Sequence, residues 1–204
     1  MKRFLISFCA AILCVSLAGC SDASLPADFS IGTTGGQVYE NPFIGLGFTL
    51  PDGFTFTSTE ELGDLNEVTP EMDEKERNAA YGNANTLYLM QANNEEGGGV
   101  GINLENTKAE GATVTSAKSY MATAKNELPS AMESMGFTDV TVSEAPLTFA
   151  GKEYSALQVS GHIYEEAFYQ NYICYEADKF LVVVSYGAYG KDVLDTLTEA
   201  FYAV

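Results

Sequence analysis

Tyr154-Ser155-Ala156-Leu157-Gln158-Val159-Ser160-Gly161-His162-Ile163, then Phe168-Tyr169-Gln170-Asn171-Tyr172-Ile173-Cys174-Tyr175, then Phe180-Leu181-Val182-Val183-Val184-Ser185-Tyr186 follow one another with only a few residues between them. All three runs are rich in β-branched and aromatic side chains, which suit a pleated, half-buried surface. Such short links join antiparallel neighbours, because a parallel crossover needs a dozen or more residues. Upstream, Thr138 to Val142 and Leu147 to Phe149 read as two further strands, with Gly151-Lys152 and Ala177-Asp178 as tight connections. The C-terminal part of the chain is therefore predicted to be a meander.

Helical spacing brackets that meander. Ser116 to Met135 carries Ala117, Tyr120, Met121, Ala124, Leu128, Met132 and Met135 on one face, with Gly136 at the stop. Pro129 should kink or split this helix, since proline removes an interior hydrogen bond. The methionines read as core packing rather than a soft-metal stripe, because they lie on the face that must be buried. Val193, Leu194, Leu197, Ala200 and Phe201 give a closing amphipathic helix.

Further upstream, Asn85 to Gln91 and Val100 to Leu104 read as strands around Asn93-Asn94-Glu95-Glu96-Gly97-Gly98-Gly99. A phosphate cradle would need a helix N-terminus after the glycines, whereas a strand follows, so the stretch reads as a hairpin loop. Two short strands, Gly45 to Leu50 and Phe54 to Thr57, flank Pro51-Asp52-Gly53, a turn sequence. The expected architecture is α+β: an antiparallel sheet of about six to eight strands covered by two or three helices.

Between Glu60 and Glu76 lie eight carboxylates and one lysine. Thr69, Pro70 and Glu71 read as N-cap, first helical position and first turn of a solvated helix. The stretch lacks the alternating acids and central glycine of a calcium loop.

At the start of the chain, Lys2 and Arg3 precede Phe4 to Leu17, fourteen residues without a charge, and then Leu17-Ala18-Gly19-Cys20. This has the layout of a secretory signal, and its last four residues resemble the lipobox of bacterial lipoproteins. A membrane span would need about 20 apolar residues. The resemblance implies cleavage of residues 1–19 and acylation of Cys20 with palmitate-type chains, leaving an extracytoplasmic protein anchored in the bacterial cell membrane. Several acyl chains together anchor stably where one barely does. Residues 20–37, mostly Ser, Gly, Thr, Ala and Asp, read as a flexible tether with a reach of roughly 20–25 Å. Residues 38–204 read as a single domain.

The chain carries 10 basic and 28 acidic residues, a net charge of −18. Loss of Lys2 and Arg3 with the leader leaves 8 against 28, or −20. Nucleic acid, which needs a basic surface, is excluded as an expected partner. Cys9 and Cys14 fall in the leader and Cys20 at the anchor, so Cys174 stands alone in the domain, where a strand-like apolar run favours a small buried hydrophobe. His162 is the one histidine. Strand alternation places it with Gln158, Ser160, Tyr164 and Glu166 on the polar face, opposite Leu157, Val159 and Ile163. Glu166 would be roughly 13 Å away along an extended strand, too far to share a metal ion with His162.

Gly47-Phe48-Thr49-Leu50-Pro51-Asp52-Gly53-Phe54 resembles the GF-x-F-x-x-P-x-G-W opening of small bacterial lipoproteins with the PsbP-like fold, the α/β/α sandwich of the photosystem II extrinsic P subunit and of the yeast Ran-release factor. Phe54 stands where tryptophan is common. The similarity extends through the helix near Ser116, the strands after Val140 and the helix after Lys191. It implies a non-enzymatic accessory or binding subunit with no shared catalytic residues. G-x-S-x-G, H-E-x-x-H and C-x-x-C motifs are absent from the sequence. The reading is accordingly no catalytic residue, no metal and no cofactor, with the membrane and a cell-surface protein as expected partners. The alternatives are a carboxylate-dependent hydrolase and a protein binding a small ligand or cation at the surface.

Overall fold

Side-chain alternation along the central strands decides the layering. The computed structural model describes residues 24–109 and 112–204. Its strands are β1 (Thr33–Gly35), β2 (Val38–Asn41), β3 (Leu46–Thr49), β4 (Phe54–Phe56), β5 (Thr86–Asn94), β6 (Gly99–Asn106), β7 (Thr138–Phe149), β8 (Lys152–Ile163), β9 (Glu166–Ala177), β10 (Phe180–Tyr189) and β11 (Phe201–Ala203). Its helices are α1 (Thr59–Leu65), α2 (Glu74–Asn83), α3 (Ala117–Ser134) and α4 (Lys191–Glu199).

A seven-stranded antiparallel sheet runs β4-β5-β6-β10-β9-β8-β7, and a four-stranded one runs β1-β2-β3-β11. Along β10, Phe180, Val182, Val184, Tyr186 and Ala188 enter one core with Tyr39, Leu46 and Phe48 of the small sheet and Leu194 and Leu197 of α4. Leu181 and Val183 point the other way, toward Tyr120 of α3. Leu157, Val159 and Ile163 of β8 meet Leu128 and Met132 of α3 on that second face. The large sheet is thus a middle layer, with α3 on one side and the small sheet with α4 on the other.

The α+β class and the β7-to-β10 meander agree with the sequence reading, and α3 begins at its cap Ser116, whose hydroxyl accepts from the Ser119 amide. Five expectations are corrected. Beyond the sheet of seven, within the expected six to eight, there are a second sheet and a fourth helix. Pro129 does not split α3, which is continuous from Ala117 to Ser134. Thr138 to Val142 and Leu147 to Phe149 are one strand; β7 lies at the sheet edge, where Pro146 withholds no ladder hydrogen bond from a second neighbour. The helix expected from Thr69 begins instead at Glu74, because Asp73 and Glu76 cap it reciprocally, as Ser58 and Glu61 cap α1. Finally, Phe201 is not helical but opens β11 opposite Phe48.

The tether expected over residues 20–37 is also corrected wherever it is described. Leu25 and Phe29 pack on the core, and the Phe29 ring centroid lies 5.4 Å from that of Phe43 and 5.8 Å from that of Phe180. Thr33 to Gly35 then pair with Val38 to Glu40. Apolar residues too sparse to show periodicity still dock when the core offers them an aromatic floor. The Pro51-Asp52-Gly53 turn carries the chain from the small sheet to the large one, since β3 pairs with β2 and β11 while β4 pairs with β5.

Candidate functional site

The residues singled out from sequence do not converge. Leu17, Ala18, Gly19 and Cys20 lie outside the described residues. Cys174 is buried under α3, and burial, with Glu105 and Glu176 adding negative charge, pushes its thiol up to about 12. A thiol held protonated at neutral pH is a poor nucleophile. It should resist alkylation in the folded chain and react at once in urea; rapid labelling of the native protein would show it to be accessible.

His162 lies on the opposite face of the sheet from Cys174 and half exposed, its Nδ1 3.8 Å from Asp139 Oδ2 at the start of β7. Its polar-face placement matches the alternation, and the acid beside it comes from the neighbouring strand rather than from Glu166. No cluster of three His, Cys, Asp or Glu side chains suited to a metal forms among the described residues. The acidic stretch over residues 60–76 is divided between two helix caps and the turn joining them.

A surface groove of about 490 Å³ lies along the β7–β8 edge, lined by Lys125, Glu144, Pro146, Glu153 and Tyr154 among others. Two of its charged groups engage each other, Glu144 with Lys125 at 3.8 Å, and Glu144 also accepts from the Ser155 hydroxyl at 2.6 Å.

The polar side chains that do gather were missed in the sequence. On β6, Val100, Ile102 and Leu104 face the small-sheet core, which turns Gly99, Gly101, Asn103 and Glu105 to the α3 side. Register places Gln91 of β5 and Ser185 of β10 opposite Gly101, and Tyr88 and Val183 opposite Asn103. One strand further, Tyr172 of β9 pairs with Ser185, and its hydroxyl accepts a 2.7 Å hydrogen bond from Gln170 Nε2.

Two atoms of this group have no hydrogen-bond partner: Asn103 Oδ1 and Ser185 Oγ, each on a residue 1% exposed. A buried polar atom left unpaired costs about 1–3 kcal/mol, so each calls for an explanation. Two residues beyond Asn103 on the same face, Glu105 accepts from the Thr86 hydroxyl at 2.7 Å. Burial raises its carboxyl to about 7, against the smaller opposing effect of that bond.

The β5 edge of the group is braced from outside. Asn66, the C-cap of α1, bonds both backbone groups of Tyr88 at the β5 bulge: its Oδ1 accepts from the amide at 2.8 Å and its Nδ2 donates to the carbonyl at 2.9 Å. Side-chain amides, hydroxyls and phenols gathered in this way can both donate and accept hydrogen bonds.

Among the described residues no helix is long and apolar enough to cross a membrane. No protein-family model and no curated protein matches the chain. Among solved structures, the chain is similar to LpqN of Mycobacterium tuberculosis, described as involved in cell envelope biogenesis, at 11% identity and a TM-score of 0.37 over 77% of this chain and 82% of that one.

Proposed function

We propose that the chain is a lipid-anchored, extracytoplasmic binding or accessory module of a bacterial cell envelope, of the PsbP-like kind that its Gly47-to-Phe54 stretch resembles, and that it is not an enzyme. The observation that carries the binding part is the pairing of Asn103 Oδ1 with Ser185 Oγ as orphaned, buried polar atoms on one sheet face. An activated serine requires a base in hydrogen-bond reach, whereas this hydroxyl has no partner at all, and His162 lies on the other side of the sheet. The anchoring part is supported by the charge-free run and lipobox ending at Cys20.

In cells expressing the full chain, wild type is expected in the membrane fraction after a high-salt wash and Cys20→Ala in the soluble fraction. Quantitative retention of Cys20→Ala on membranes overturns the anchor. Turnover of envelope material by the purified chain, abolished in Ser185→Ala, overturns the non-enzymatic reading.

A further inference from the structure

Four residues along the chain from Cys20, Ser24 is already held by the domain. Its carbonyl accepts a 2.9 Å hydrogen bond from Lys179 Nζ, and Leu25 and Phe29 just after it pack on the core. Four residues reach at most about 14 Å however they run. Lys179 lies in the turn between β9 and β10, so Ser24 marks one end of the large sheet. The other end, at the Tyr164-Glu165 turn, is the length of β9 away, twelve residues or roughly 36–40 Å. A lipid on Cys20 can therefore hold the first end against a bilayer and never the second.

Charge divides along the same axis. Of the eight basic residues from Cys20 onward, four lie at the Ser24 end. Lys179 is in the turn, and its carbonyl ties the turn to Thr107 at the end of β6, with exposed Lys108 next in sequence. Lys118 is exposed in the first turn of α3, where Tyr120 packs on Leu181 beside that same turn. Lys152 is exposed at the start of β8, which runs antiparallel to β9 and so begins where β9 ends. Glu153, Glu176 and Asp178 are exposed among them, which leaves this end close to neutral. The far end is acidic: Glu95, Glu96, Asp139, Glu165 and Glu166 are exposed there, together with Glu133 at the close of α3, and Lys191 and His162 are the basic groups.

We propose that the β9–β10 end of the large sheet is the surface that rests on the membrane, where Lys108, Lys118, Lys152 and Lys179 meet the anionic phospholipid headgroups of the bilayer that holds the anchor. The proposal rests on the anchored reading above and gives the anchored domain an orientation. An anionic leaflet attracts lysines within about one Debye length, roughly 8 Å at physiological salt, and the short stem keeps this end inside or just beyond that distance. The acidic remainder of the chain is repelled by the same field. Because the lysines only balance the carboxylates around them, they orient a chain that the lipid has already anchored and do not recruit it. The Tyr164 ring, 87% exposed, then faces away from the membrane.

The test uses the full chain, matured in cells, purified with its lipid and reconstituted into vesicles of phosphatidylcholine alone or of phosphatidylcholine and phosphatidylglycerol at three to one, each with a headgroup-quencher lipid. A thiol-reactive fluorophore is attached at Ala112→Cys, exposed between β6 and α3 at the Ser24 end, or at Tyr164→Cys at the far end. Cys174 is buried and leaves the introduced thiol as the reactive one. Strong headgroup quenching is expected at position 112 and none above background at position 164. Quenching at 112 should rise when phosphatidylglycerol is present, since each lysine near an anionic surface biases the population about fivefold. Lys108→Ala, Lys118→Ala and Lys152→Ala combined should abolish that rise; Lys179 stays, because it also holds Ser24. Equal quenching at the two positions in floating vesicles overturns the orientation alone. Quenching at neither position overturns it too, and would leave this end to a protein partner. A lysine variant that responds to phosphatidylglycerol as wild type does overturns the headgroup contact. Wild-type chain that fails to float with the vesicles overturns the anchor and this proposal together.

Discussion

Phe201→Ala is expected to lower the unfolding free energy by about 3–5 kcal/mol, read from the urea midpoint at unchanged slope. The residue is 4% exposed, and its ring centroid lies 4.7 Å from that of Phe48, 4.6 Å from that of Phe149 and 5.5 Å from that of Tyr186. Those three rings belong to β3 of the small sheet and to β7 and β10 of the large one. Each aromatic pair contributes about 0.5–1.5 kcal/mol beyond the area it buries. Truncation would therefore leave a cavity at the seam between the sheets, and a domain whose whole stability is about 5–15 kcal/mol would lose a large fraction of it. Tyr202→Ala, one residue on and outward-facing with its hydroxyl 3.0 Å from Glu40, is the matched control and should cost much less. A Phe201→Ala loss below about 1 kcal/mol would mean that the sheets are joined elsewhere.

The reason Phe201 reads as helical from sequence is instructive. Val193, Leu194, Leu197, Ala200 and Phe201 all fit a 3.6-residue period, and the helix does cover the first three. The chain then leaves it for the free edge of β3, where Phe201 to Ala203 pair with Leu46 to Phe48. Periodicity cannot register a strand of three residues whose partner lies more than a hundred and fifty positions away. The same limit hid β1 and the docking of Phe29, both decided by surfaces that form only when the fold closes. The meander was legible because its signals are local: alternation, β-branched runs, and links too short for a crossover.

The candidate site shows a different limit. Val100, Ile102 and Leu104 alternate with Gly101, Asn103 and Glu105, a pattern that reads as a strand with one face to the core and one to water. The strand is correct, but its polar face is buried too. Which polar face is solvated is a property of the layering. The one local sign was glycine at Gly99 and Gly101 in a strand that could have held larger side chains; Gly99 reads as the end of the hairpin loop, and Gly101 falls inside the strand read over Val100 to Leu104.

Glu105 is where this burial should be measurable, in the pH dependence of stability. Its carboxyl rises from the ordinary 4.5 to about 7 in the folded protein, because burial disfavours the charged form more than the Thr86 hydroxyl favours it. Between those values the folded state keeps a proton that the unfolded chain has released. Stability must therefore fall as pH rises through this window, and level off above it. A difference of this size corresponds to roughly 3 kcal/mol at pH above 7. Glu105→Gln removes the titration, keeps the shape, and retains a carbonyl oxygen to accept from Thr86. The other groups close to Glu105 do not blur the comparison: Leu181 opposite it on β10 is apolar, and Cys174 stays a thiol well above this range. The variant is accordingly expected to match wild type near pH 4 and to exceed it by about 2–3 kcal/mol at pH 8, measured by urea unfolding across the range. A constant difference between the two curves would show that Glu105 titrates as an exposed carboxyl, and so that the polar face of β6 is open to water.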